Sequence, residues 1–518
     1  MKKNISRITV AVCALLIASA CSTSWLEVQP KGASLESNYY QTADQVFSGL
    51  VGIYAATAQE TSAAINWYSS KIAPLNCAAD ECWAGGGGAN DNASWQAWNK
   101  YTLTSANSPA DGYWSIDYQG IYRANLLLVK IEGNIPDLTA PVKARYIAET
   151  KYLRAYFYFE LIRLFKNIPL ILTAVEQSDW YNIKQADPAD VWAQIEQDLN
   201  DAIPNLPSTV TSSESGRVTK GAGYALLGKV LLFEGSEYWN GGSANTAKMG
   251  AAADALAQVR TSGLYSLLPN FGDIFDPGNK FNSESVYEIV HSNQKQAQWG
   301  QDPFSGNLYP TLVGPRTYTG PLYLSGWSFN PIIPDFAHSM NTDPRFDYTV
   351  LNIDGDRDND GTKDGLVQTD GAAYVAGYDN TGFFIQKFAP LTAWKAVAGE
   401  YVLNFPNDYI EIRYADVLLM EAEALVRVNG DGDGQAQANL DEVRARVGLG
   451  SVTATLANIL EERRLELATE GHRWYDLVRT GRAASVLAFK GFEADKHELL
   501  PIPLVDMNNT KLVQNHNY

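Results

Sequence analysis

The stretch EERRLELATEGHRWYDLVRTG, residues 461–481, decides the fold. It sets Glu461, Glu462, Glu466, Glu470, His472 and Asp476 beside four arginines within a few turns. Such a set is either an active site or a scaffold node. Placed on a helix over 456–470, Leu460, Arg463, Arg464, Leu467 and Ala468 share one face. Glu462, Glu466 and Glu470 follow one another at i, i+4 on another. Arginines on an apolar face need carboxylate partners from neighbouring helices. Gly471 is placed to end the helix. A glycosidase needs two carboxylates about 5 to 9.5 Å apart across an open cleft, and a helix packed inside an array offers none. The chain also lacks the His-Glu-x-x-His spacing of a zinc hydrolase. The stretch therefore reads as scaffold.

Working outward, helical periodicity recurs in blocks. In VKARYIAETKYLRAYFYFELIRLF (142–165), Tyr146, Leu153, Tyr156, Leu161 and Leu164 recur at helical spacing, and Asn167 and Pro169 stop the block. In ADPADVWAQIEQDLNDAIPNLP (186–207), Asp187 caps, Pro188 suits the first turn, and Trp192, Ile195, Leu199 and Ile203 make one apolar face. GRVTKGAGYALLGKVLLFEG (216–235) and AKMGAAADALAQVRTSG (247–263) add two helices. DYIEIRYADVLLMEAEALVRV (408–428), QAQANLDEVRARVGL (435–449) and LANILEERRLELATEG (456–471) repeat the theme. Helices too thin to bury their own faces predict a tetratricopeptide-like array, and Ala155 with Phe159 fits one piece of that repeat. Residues 266–405 differ, being rich in Gly, Pro, Asn and aromatics with short apolar runs. They read as long loops and a few short strands inserted on the scaffold. Residues 69–120 share that character. The fold class is mostly α: a helical-repeat scaffold, 39–265 and 406–518, carrying aromatic-rich insertions.

The chain has 518 residues, 46% of them hydrophobic, and a formal charge of −18. It can bury large cores, and its charge disfavours nucleic acid and anionic lipid. Residues 1–20 read as a signal peptide. Lys2, Lys3 and Arg7 form a positive region and ITVAVCALLIASA (8–20) an apolar one, too short to span a bilayer about 30 Å thick. Ala18, Ser19 and Ala20 precede Cys21 in a pattern that resembles a bacterial lipobox, although Ala18 stands where Leu is usual. Cys21 would carry the lipid and residues 21–38 would form the tether, the chain's only attachment to the membrane. Cys77 and Cys82 remain, either as a small disulfide loop or as two free thiols. No later stretch reads as a membrane span.

The run ERRLELATEGHRWYDLVRTG resembles the C-terminal signature of the SusD/RagB family. Matching pieces stand in order: LRAYFYFELIRLF near 160, GRVTKGAGYALLGKVLL near 225, FNSESVYEIV near 285, DPRF at 343–346, YIEIRYADVLLMEAEAL, LDEVRARVGL, and a tail closing at Tyr518. The resemblance implies a non-catalytic, glycan-binding outer-membrane lipoprotein facing the cell exterior. It would hand nutrient to a SusC-like TonB-dependent transporter barrel. Relatives often carry several acids just after the lipidated cysteine; here STSWLEV has only Glu27. The competing readings are an exported glycoside hydrolase or lyase and a helical scaffold that binds only protein.

A neutral glycan site needs flat aromatic platforms and polar hydrogen-bonding groups. In the first loop the candidates are Asp80, Trp83, Asn90, Asn92, Trp95 and Trp98. The three-residue spacing of Trp95 and Trp98 is equally that of a core helix face. In the insertion they are Trp299, Tyr309, Tyr318, Tyr323 and Trp327, with Arg316 as a donor. Trp192 and Trp474 read as core. No cofactor is required, but NIDGDRDNDGTKDG invites structural calcium. Asp356, Asp358, Asp360 and Gly361 match the first half of a calcium loop, with Asp364 beyond. Its twelfth position is Val367, so it is no EF-hand. It is either an Asp-rich calcium turn closed from elsewhere or a solvated acidic turn.

Overall fold

The computed structural model describes residues 39–62, 71–174, 177–295, 297–299 and 305–518. Residues 1–38, on which the signal-peptide, lipid-anchor and tether expectations fall, lie outside the described residues. Helices α1 (Ala43–Ser62), α2 (Ile72–Ala78), α3 (Ala93–Asn99), α4 (Ala110–Lys130), α5 (Ala140–Phe165), α6 (Pro188–Ala202), α7 (Lys220–Glu234) and α8 (Thr246–Thr261) precede the insertion. Helices α9 (Tyr414–Asn429), α10 (Gly434–Arg446), α11 (Leu456–Glu466) and α12 (Arg473–Arg479) follow it.

Side-chain caps start several helices. Asp187 accepts from the Ala189 amide, Thr219 from Ala222, Asn245 from Ala247 and Lys248, and Asp433 from Gln435 and Ala436. From α4 on, each long helix packs on the next: α4 on α5, α5 on α6, α6 on α7, α7 on α8. Helix α9 then docks on α8, although about 150 residues of chain separate them. The array is therefore continuous, and the insertion leaves and rejoins it at one joint. At Gly228 on α7 a Cβ would come within 2.4 Å of Leu256 on α8. Glycine there admits a close helix pair that Ala would wedge apart.

Helix α5 is central. Every residue from Ala148 to Phe165 is buried except Lys151, so its core is no single stripe. Its buried charges are paired: Arg154 with Asp198, Arg163 with Glu160, and Glu149 with Arg217.

Two boundaries differ from the sequence reading. Tyr409–Arg413 is a strand, β4, antiparallel to β1 (Ser285–Ile289), and the helix begins only at Tyr414. Tyr-Ile-Glu-Ile-Arg alternates like a strand, and a partner 120 residues away in sequence decides the matter. Helix α11 ends at Glu466 rather than 470. Thr469 and Gly471 turn to positive φ, and their amides go to Glu81 and Asn76 of the first loop region. A second hairpin-like pair, β2 (Val350–Asn352) with β3 (Phe383–Ile385), stands in the insertion.

The opening stretch is the node of a buried ionic network. Arg345 reaches Asp343, Glu462 and Glu466; Arg413 reaches Glu284, Glu466 and Glu470; Arg446 reaches Glu284 and Glu466; Arg463 reaches Asp416 and Asp476. Lys387 of the insertion donates to the Glu466 carbonyl and to Glu470. Burial alone would raise the Glu466 carboxyl, but the Arg413, Arg446 and Arg345 charges hold it well below the ordinary range. The node ties the helical array to the insertion and to the first loop, as the scaffold reading requires.

Candidate ligand site

The first loop and the insertion meet through single backbone pairings. Trp83 N donates to Pro331 O, Asn330 N to Ala84 O, Gly86 N to Ser328 O, and Tyr378 N to Gly86 O. Gly85, at φ +69°, could carry no side chain here: a Cβ would lie 2.3 Å from the Ser328 carbonyl oxygen. This close approach uses the glycine run. It sets Asp91 3.7 Å from Arg316 Nη2, and the same nitrogen donates to the Trp327 carbonyl at 3.4 Å. Asn90 is exposed beside Asp91.

Trp299 and Trp327 stand with rings parallel, 13° apart in plane and 6.3 Å between centroids. Trp299 is 45% exposed and Trp327 half-buried. The segment carrying Trp299 is held by Asn404, whose amide accepts from Ala297 N and donates to Ala297 O and Glu400 O. Tyr401 donates to the Ser325 carbonyl two residues before Trp327. Two indoles 28 residues apart thus share one rigid support. Parallel indoles, with the Arg316 guanidinium and the Asp91 carboxylate gathered at the Trp327 backbone, present an apolar face with a polar rim. That surface suits flat, hydroxylated ligands.

The structure corrects several first-loop expectations. Trp95 and Trp98 are buried, edge-on to Phe329 and Trp474, so α3 uses them as core. Asp80 accepts from Arg473 and joins the scaffold network. Burial would raise its carboxyl, and Arg473 holds it below the ordinary range. Trp83 is half-buried, and its ring partners are Phe489 and Lys490 rather than the indole pair. Tyr323 donates to Gln386 and packs on Tyr318 at a small second core, so it serves the insertion's own packing. Tyr309 is fully buried, and Trp192 and Trp474 are core as expected.

Cys77 and Cys82 are free, buried thiols. Of the two readings left open, these are the free thiols, and Lys490 donates to both of their carbonyls and to Asn99, clamping the loop that a disulfide would otherwise have closed. Burial pushes the Cys77 thiol up to about 12 and the Lys490 ammonium down to about 8.

The Asp-rich run that invited calcium is folded on itself. Asp356 accepts from the Asp360 and Gly361 amides, Asp360 from Thr362, and Asp364 from Arg357 N and Asn352. Asp356, Asp360 and Asp364 thus accept hydrogen bonds from their own segment. Among the described residues no group of three or more acids, His or Cys is placed to hold a metal ion.

Asp91 and the Asn404–Tyr401 support escaped the sequence reading. Asp91 had a local signal, following four glycines; Asn404 had none, because its role depends on residues about 100 positions away.

Comparison with known proteins adds to this geometry. A model described as the SusD family matches residues 336–518, and one described as "Starch-binding associating with outer membrane" matches 24–232. A solved "Laminarin binding SusD-like protein" is 40% identical, with TM-score 0.83, over 92% of this chain and all of that one. Surface glycan-binding protein A from Bacteroides thetaiotaomicron, solved with laminarihexaose, is 27% identical with TM-score 0.80, over 92% of this chain and all of that one. SusD-like protein P2 of Formosa agariphila is 26% identical over 97% of this chain and 98% of its own. Among the described residues no helix is long and apolar enough to cross a membrane.

Proposed function

The chain belongs to the SusD family, and on that premise we propose that it captures a neutral glycan at the cell surface without chemically altering it. The observation that carries the reading is the parallel Trp299–Trp327 pair beside Arg316 and Asp91. Sugar C–H faces would stack on the indoles while Arg316, Asp91 and Asn90 meet the hydroxyls. Laminarin is the first glycan to test, because one similar protein is named for binding it, another was solved with laminarihexaose, and it is uncharged. A chain of formal charge −18 disfavours acidic polysaccharides. The handover partner is a SusC-like TonB-dependent barrel, and Cys21 is the lipid anchor that keeps the protein on the outer membrane. Against a hydrolase, Glu462, Glu466, Glu470 and Asp476 of the opening stretch are committed to arginines in the buried network.

Titration calorimetry with laminarin oligosaccharides, beside acidic and amino-sugar controls, tests this. If a sugar covers about 80 Å² of apolar surface at an indole, the transfer term is about 2 kcal/mol, or about 30-fold in Kd. Trp299→Ala and Trp327→Ala should each weaken binding by about that factor, while Trp83→Ala should not. Binding that survives both substitutions, or new reducing ends in the product, overturns the reading.

A further inference from the structure

A second concavity shares no residue with that site. A groove of about 440 Å³, within the size range of small-molecule sites, lies against α4. Trp114, Tyr118 and Tyr122 line it at four-residue intervals along the helix, and Trp180 lines it from the segment after Phe165. Tyr122 and Trp180 are 42% and 54% exposed, so aromatic surface reaches the mouth. Tyr118 spends its hydroxyl on the Pro169 carbonyl, which leaves the groove short of polar partners for a sugar. Its one charged lining residue is Asp506. Asp111, in the first turn of α4, adds a second negative charge that acts on Asp506, and both Trp114 and Tyr118 stand close enough to interact with the Asp506 carboxylate. Among the described residues no lysine or arginine pairs with either acid. Lys511, five residues on, donates to Asn182 and lies over the Tyr181 ring instead. Partly buried acids elsewhere in the array are paired, as Asp198 is with Arg154 and Glu149 with Arg217. Burial and the Asp111 charge raise the Asp506 carboxyl to about 6, so it is still mostly ionised at pH 7.

We infer that this groove is a second ligand site, separate from the glycan platform, for a dissolved organic ammonium with an apolar body. Its cation would lie on Trp114 and Tyr118 against Asp506, and its hydrocarbon part would run toward Tyr122 and Trp180. Aromatic faces attract a weakly hydrated cation through their quadrupole, and a carboxylate beside them that has no counter-ion adds direct attraction. The rise from Trp114 to Tyr122 is about 12 Å of helix, room for a cationic head and a short alkyl chain. A neutral hydrocarbon would gain only the burial of its surface. An anion would meet Asp506 and Asp111. A bare metal ion is also a poor occupant, because among the described residues no group of three or more acids, His or Cys is placed to hold one.

The test is equilibrium dialysis of the full chain against hexyltrimethylammonium, with hexanol and hexanoate as its neutral and anionic counterparts. The expected result is one saturable site for the cation, about tenfold tighter than for hexanol, and no binding of hexanoate. Asp506→Asn keeps the shape of the side chain; it should weaken the cation about tenfold and remove its advantage over hexanol. Trp180→Ala, at an exposed ring, should also weaken the cation, with Tm unmoved. Trp299→Ala should leave its Kd unchanged, and saturating laminarin oligosaccharide should not displace it. Absence of a saturable site, equal affinity for the cation and hexanol, or an unchanged Kd in Asp506→Asn overturns the inference. So does loss of binding in Trp299→Ala or displacement by the oligosaccharide, either of which would put the cation on the glycan platform.

Discussion

Glu466→Gln separates scaffold from active site most sharply. The Glu466 carboxylate is fully buried and receives Arg345 Nη1 at 2.8 Å, Arg413 Nη1 at 2.5 Å and Arg446 Nη2. The amide keeps the volume but removes the charge and turns one acceptor into a donor facing guanidinium donors. Breaking a buried ion pair from one side costs about 3–5 kcal/mol, because the other charge stays buried. With about 480 folded residues at about 2.1 cal/mol/K each, the unfolding entropy is about 1 kcal/mol/K. A loss of about 4 kcal/mol therefore lowers Tm by about 4 °C. Glu461→Gln is the control, since that acid is exposed and its pairing with Arg464 is worth at most about 1 kcal/mol. The pH dependence has a definite sign. The Glu466 carboxyl is held well below its ordinary value, so its stabilisation is complete above the unfolded carboxylate range and is lost as pH falls through the folded pKa. The gap between wild type and variant should thus be full at pH 7 and narrow in acid. Scanning calorimetry from pH 7 to 3 reads both. A Tm within about 1 °C of wild type at pH 7, or laminarin affinity lost while Tm holds, would refute the scaffold assignment.

Gly85→Ala places a Cβ against the Ser328 carbonyl at a positive φ. It should weaken glycan binding without touching either indole, and unchanged affinity in calorimetry would separate the first loop from the site. Burial, aided by the Asp80 charge, raises the Glu81 carboxyl to about 7. Its stabilisation is therefore full below the unfolded carboxylate value and is lost as pH rises through about 7. Tm should fall between pH 5 and 8, and Glu81→Gln should flatten that fall; an equally steep profile in the variant would remove Glu81 as its source. Neither Cys77 nor Cys82 should react with a thiol reagent in the native protein, and both should react after denaturation without reductant. One disulfide in the intact mass would overturn the free-thiol assignment.

What was legible in the sequence was what local periodicity and caps decide. The array of α5 to α8 could be read because each helix carries its own stop signal or cap, as Asp187 and Thr219 show. The buried network was legible in kind, since arginines on an apolar face demand acids. Its partners Glu284, Arg345 and Lys387 were not, because they arrive from an insertion with no period to follow. Strand β4 was misread for the same reason: Tyr409–Arg413 becomes a strand only because β1 lies alongside.

The first-loop tryptophans carry that argument to the site. Trp95, Trp98, Trp299 and Trp327 are chemically alike, and all sit among glycines and asparagines. What separates them is which segment folds over which, a long-range property. Helix α3 turns Trp95 and Trp98 inward onto Phe329 and Trp474. The same packing brings 83–86 against 328–331 and leaves Trp327 half-buried beside Trp299. The buried pair is thus part of the floor that positions the accessible pair. Trp95→Ala would then perturb a ligand without touching it, chiefly through lost stability. Trp299→Ala would change affinity with Tm nearly unmoved, and the two measurements together distinguish floor from platform.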